Sequence, residues 1–334
     1  MESIASPQLW IIFSVFVLGM LALDLGVFNR KAHEVRFKEA LSWSIVWVAL
    51  SLAFNWWIYH RFGSQKALEF LTGYVIEKAL SVDNIFVFVI LFASFAVPKM
   101  YQHRVLFWGV LGAIAMRAVF IGLGAALVAR FEWIMYVFGA ILIYTGIKLM
   151  KEGEAEPHPE KNPIYKLGRR LMPAVPEYHG AHFFVMKDGR RYATPLFLVL
   201  IAIEATDVVF AVDSIPAIFA ISTDPFIVYT SNIFAILGLR AMYFLLAGII
   251  DKFHYLKYGL AVVLLFVGLK MIVAHWYHVP IGLSLGVIAG VLTISVVASI
   301  MWPRHVELEV SSDALEDIRN DPDGSGDSRD EDVR

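Results

Sequence analysis

Nine runs of about twenty apolar residues constrain this chain most, at 8–28, 41–59, 67–97, 104–129, 131–150, 194–221, 226–250, 256–277 and 281–302. Each is long enough to cross roughly 30 Å of hydrocarbon at about 1.5 Å per helical residue. Lipid offers no hydrogen-bond partners, so a segment that crosses it must close its own backbone as a helix. The runs therefore predict an all-α polytopic membrane protein with about nine transmembrane helices. Composition agrees, because 58% of residues are hydrophobic and only 17% are charged, against roughly 25% charged in soluble chains.

The predicted transmembrane domain is 1–302, with a cytosolic linker at 151–193 and an acidic tail at 303–334. Placing the N-terminus outside gives the inner loops Arg30, Lys31, Arg36, Lys38, Lys99, Arg104, Lys252, Lys257 and the bases of 151–193, and leaves Arg61, Lys66 and Arg130 outside. That asymmetry predicts an outer N-terminus and a cytoplasmic C-terminus in a cell membrane. Glu2 is the only charge ahead of the first run, so that run is expected to stay as a helix. The tail is too polar to offset the entropy of ordering and is expected to be disordered. Asp321, Asp323, Ser325, Gly326, Asp327 and Asp332 follow calcium-loop spacing there, but Ser328 stands where an apolar residue is usual. No basic stripe points to nucleic acid, and the absence of cysteine excludes thiolate sites and disulfides.

Two stretches of the chain resemble each other. Ser81-Val82-Asp83-Asn84-Ile85-Phe86 aligns with Ala211-Val212-Asp213-Ser214-Ile215-Pro216, with Glu77 and Asp207 at matching places upstream. Arg117 in Gly112–Arg117 matches Arg240 in Gly238–Arg240, and Thr145–Lys148 matches Val267–Lys270. Three spans thus recur, as repeats at about 67–150 and 194–277. An odd number of crossings per unit makes the repeats inverted, an arrangement that gathers equivalent residues near the bilayer midplane.

Ionisable residues inside these runs are expensive, at roughly 2.5–3.5 kcal/mol each on insertion scales. Glu77, Lys78, Asp83, Glu204, Asp207, Asp213, Arg117 and Arg240 lie well inside, and Asp24 lies nearer an end. Acids outnumber bases in this set, so pairing alone leaves negative charge over. A bound divalent cation, protons, or the two in alternation would neutralise the surplus; the competing view is that the acids only pair with Lys78, Arg117 and Arg240 to lock the bundle. A six-residue step turns a helix by about 600°, so Glu77 and Asp83 point about 120° apart, whereas Asn84 returns to the Glu77 face. Pro216 predicts a broken helix after Asp213. The length of 67–97 predicts local unwinding near Ser81–Asn84.

Carboxylate, carboxamide and carbonyl ligands suit magnesium, calcium or manganese over copper or zinc. The ten histidines fall in loops or near span ends, away from the central acids. The chain is expected to be a transporter rather than an enzyme, with no catalytic residues and no cofactor; its expected partners are a divalent metal ion and the bilayer. An intramembrane aspartyl protease using Asp83 and Asp213 is the rival class, but it leaves the other acids unexplained.

The chain resembles the TerC family of integral membrane proteins, including its pH-responsive Alx members. The resemblance rests on Asp24-Leu25-Gly26-Val27-Phe28 with the following Arg30-Lys31-Ala32-His33 and Lys38-Glu39-Ala40-Leu41, on Leu80–Asn84, and on Phe210–Ala217. It implies a manganese exporter related to LysE-like transporters, with Mn2+ as the transported ion. It further implies a metal site of Glu77, Asp83 and Asn84 from one repeat and Glu204, Asp207 and Asp213 from the other. Asp24 belongs to the opening signature and is a possible additional ligand.

Overall fold

Prolines and short polar residues set many of the helix starts. Pro98 precedes one helix, Thr194-Pro195 opens another, and Asp224-Pro225 opens a third, where the Asp224 carboxylate accepts from the amides of Phe226 and Ile227. The structure, a computed structural model, describes residues 3–23, 37–131, 133–151, 175, 177–187, 189–247, 255–274, 276–277 and 279–302, without the side chains of Asp83 and Ser94. Asp24, the tail 303–334 and most of the linker lie outside the described residues.

The helices are α1 (Pro7–Leu23), α2 (Phe37–Phe62), α3 (Ser64–Ser94), α4 (Lys99–Arg130), α5 (Ile134–Lys151), α6 (Pro195–Phe219), α7 (Pro225–Leu237), α8 (Leu239–Leu246), α9 (Leu256–Val273) and α10 (Ile281–Met301). Among the described residues, seven stretches are long and apolar enough to cross a membrane: α2, α4, α5, α6, α7 with α8, α9 and α10. The described part of α1 is a shorter apolar helix of 17 residues. The 31-residue α3 holds Lys66, Glu69, Glu77, Lys78 and Asp83, more charge than an ordinary lipid-facing helix tolerates. Large apolar side chains such as Ile11, Leu52, Val119, Leu269 and Ile294 project outward from five different helices. A soluble protein rarely exposes so broad an apolar surface, whereas lipid covers it without penalty.

The interior is built on α3, α4, α6 and α7, and α7 is buried along almost its whole length. Two expected irregularities are not there. α6 runs unbroken through Pro216, and α3 runs unbroken through Ser81–Asn84. Pro216 stands so close to the end of α6 that it removes only one late hydrogen bond, from the Val212 carbonyl. Unwinding α3 would strip backbone groups of partners in a region without water. The seventh expected run is instead interrupted, at Gly238, which separates α7 from α8.

The linker contributes an unexpected hairpin, β1 (Phe184–Lys187) paired antiparallel with β2 (Arg190–Ala193), Phe184 opposite Ala193. Gly189 turns it at a φ of 73°, a left-handed angle that favours glycine.

Two pairs of helices cross antiparallel. Along α3 and α6, Asn84 meets Asp207 while Glu69 meets Ser222, just past the end of α6. Along α5 and α9, a methyl group added to Gly139 would lie 2.9 Å from the Gly268 carbonyl, and one added to Gly146 would lie 2.9 Å from the Ala261 carbonyl. Only glycine lets these backbones approach so closely.

Candidate functional site

Arg117 marks the centre of the bundle. It reaches from α4 into the seam between α3 and α6 and is only 1% exposed, alongside Glu77 at 1%, Asn84 at 3% and Asp207 at 4%. Its Nη1 donates to Glu77 Oε1 at 2.7 Å and to Ser214 Oγ at 2.6 Å. Its Nη2 stands 3.5 Å from Asp207 Oδ1, to which Asn84 Nδ2 also donates at 3.4 Å. Glu77 and Asn84 share a helix face, as the seven-residue step predicts, and Asp207 and Ser214 repeat that spacing on α6.

Two carboxylates here face one guanidinium. Glu77 Oε2, Asp207 Oδ2 and Arg117 Nε make no hydrogen bond among the described residues. Removing one partner from a buried ion pair is strongly destabilising, because the other charge is left without water or counter-charge. The cation that holds the two acids together is the Arg117 guanidinium.

The other expected residues are spread along the same seam. Glu204 stands one turn from Asp207 on α6, and its carboxylate fills the space left by the missing side chain of Gly112 on α4. Asp213 turns away toward α5, where its Oδ1 accepts from Thr145 Oγ1 at 2.8 Å. Lys78 Nζ donates to the Ala235 carbonyl on α7 at 3.2 Å. Arg240 lies on α8 and lines a small cavity with Glu39, Trp43 and Trp47 of α2, apart from the Arg117 cluster. Asp24 and the Asp83 side chain lie outside the described residues. Among the described residues, no three histidine, aspartate or glutamate side chains gather closely enough to hold a metal ion in this arrangement.

Two polar groups at the centre and near one end of the bundle were missed from sequence. Ser214 is the counterpart of Asn84 in the repeated motif, and that correspondence was the available signal. Glu69 is buried, paired with Lys66 at 2.8 Å and accepting from Ser222 Oγ at 2.6 Å; its Lys-x-x-Glu spacing was legible as a helical pair.

The residue correspondences read from the sequence can be applied to these contacts. Exchanging each residue for its counterpart turns the Asn84–Asp207 contact into Ser214–Glu77, whose two side chains share Arg117 Nη1. The same exchange turns Gly139–Gly268 into Ala261–Gly146, which is the second close approach of α5 and α9.

Residues 62–307 match the integral membrane protein TerC family. A membrane protein of Myxococcus xanthus is 56% identical over 303 residues, covering 91% of this chain and 95% of that protein. A protein of Salmonella typhi named as a candidate membrane-bound redox modulator, Alx, is 51% identical over 314 residues, covering 91% and 97%. A membrane protein of Rickettsia bellii is 44% identical over 298 residues, covering 89% and 99%. No solved structure matches the chain. With three-quarters of its length inside the family's match and close relatives along nearly all of theirs, this polytopic membrane protein belongs to the TerC family.

Proposed function

We propose that this protein is a secondary transporter that exports a hard divalent cation, manganese foremost, from the cytoplasm through the carboxylate centre of Glu77 and Asp207. One observation carries the reading: two buried acids from corresponding places in the sequence share a single arginine, so the centre holds more negative charge than its own bases neutralise. A fold built for stability alone would match them one to one or replace them with apolar side chains. The self-matching contacts of α3 with α6, and of α5 with α9, support an inverted repeat, which is the architecture of alternating access around a midplane site.

In this reading the expected metal residues form a path rather than one fixed cage. Along α6, Glu204, Asp207 and Asp213 are separated by about 4.5 Å and then about 9 Å of helical rise. With the N-terminus outside and the linker and C-terminus cytoplasmic, Glu204 lies on the inner side of the centre and Asp213 on the outer side. Asp83, the counterpart of Asp213, belongs with Glu204 on the inner side. Asn84 and Ser214 supply neutral oxygens beside the two central acids. A cation drawn to these oxygens displaces Arg117, and the ligand chemistry favours manganese, calcium or magnesium. Protons are the counter-ion to test.

Cellular metal content provides the experiment. Cells lacking the protein should accumulate manganese, wild type should lower it, and Glu77→Gln, Asp207→Asn, Asp83→Ala or Asp213→Ala should fail to lower it although the variants reach the membrane. Equal manganese in all of these strains would overturn export. Proteoliposomes offered manganese, calcium and magnesium separately identify the ion.

A further inference from the structure

Glu77 and Asp207 are counterparts, and so are Asn84 and Ser214, so the centre has two matching sides. Arg117 fills it from one side only. Its bonds to Glu77 and Ser214 are short, at 2.7 and 2.6 Å, whereas Asp207 receives contacts of only 3.5 and 3.4 Å; each acid keeps one oxygen without a hydrogen bond among the described residues. The counterpart of Arg117 is Arg240, since Met116-Arg117-Ala118 aligns with Leu239-Arg240-Ala241. Applied to Arg240, the same geometry would put a guanidinium on Asp207 and Asn84 with a looser contact to Glu77.

Arg240 is instead held beside α2, and its helix differs from that of Arg117 in one respect. α4 is continuous through Arg117, while the helix is interrupted for one residue at Gly238, two residues before Arg240, and resumes as the short α8. Gly238 itself abuts the side chain of Lys78, the neighbour of Glu77: a methyl group added there would lie 2.5 Å from Lys78 Nζ. The segment carrying Arg240 is therefore already next to the helix that bears Glu77.

We propose that Arg240 is the alternate counter-ion of the Glu77–Asp207 pair, exchanging places with Arg117 as the centre turns from one face of the membrane to the other. The inference rests on the alternating-access reading above. The physical need is plain: once Arg117 withdraws, an unloaded centre would strand two carboxylates in a medium where bare charge is costly. Manganese meets that need when the transporter is loaded. On the empty return a tethered cation from the other half meets it.

The test compares two assays on the full chain in proteoliposomes. Net manganese efflux into metal-free buffer requires the empty centre to return. Tracer exchange, with manganese on both sides, does not. For Arg240→Gln, the ratio of net efflux to exchange should fall by about tenfold or more, because the return then leaves buried charge uncompensated, and Arg240→Lys should restore much of it. Efflux and exchange falling in proportion would reduce Arg240 to a support for the fold and overturn the proposal, as would an unchanged ratio, which would hand the return step to protons. If wild type moves manganese in neither assay, the transport reading itself fails, an outcome distinct from the other two.

Discussion

Arg117 concentrates the energetics of the site in one side chain. Arg117→Ala should destabilise the folded protein by about 3–5 kcal/mol, the usual loss when one member of a buried ion pair is removed. The same substitution frees Glu77 and Asp207 for an outside cation, so manganese should raise the Tm of Arg117→Ala in detergent more than that of wild type. Thermal unfolding with and without the metal checks both statements. A variant that melts as wild type does, and ignores manganese, would remove Arg117 from the centre. Much at this scale was legible in the sequence: Glu77, Asn84 and Asp207 were singled out by embedded charge and by the repeat, and they do meet. Which arginine joins them was not, because Arg117 and Arg240 occupy matching places in the chain and differ only in how their helices pack.

At the level of elements, apolar runs located the helices because lipid leaves the backbone no other solution. That argument also explains why α3 and α6 stay helical where unwinding was expected. The one-residue interruption at Gly238 leaves no mark in the sequence, because the apolar pattern continues across it on both sides. The β1–β2 hairpin was hidden in a proline-bearing linker, although Asp188-Gly189 is a recognised hairpin-turn pair flanked by strand-forming residues. The tightest joint is between α5 and α9. Gly139→Val or Gly268→Val should each cost about 1–3 kcal/mol through overpacking against the opposite carbonyl. Because the two glycines share one contact, the double variant should cost less than the singles added together. Denaturant unfolding of the three variants measures this, and simple additivity would place the glycines in independent environments.

The whole molecule offers a clean test of orientation, because it has no cysteine to remove first. Ser64 and Lys187 are both exposed, one at the start of α3 and the other at the tip of the hairpin. In intact cells a membrane-impermeant maleimide should label Ser64→Cys and should reach Lys187→Cys only after permeabilisation. The opposite pattern would reverse the proposed direction of transport without disturbing the fold. At the joint of α5 and α9, Gly139 seats on the Gly268 carbonyl and Gly146 on the Ala261 carbonyl, so the seam of these antiparallel helices is closed at two points seven residues apart on each. Two separate polypeptides, divided within 151–193 and threaded into the bilayer in opposing senses, would meet along that same seam.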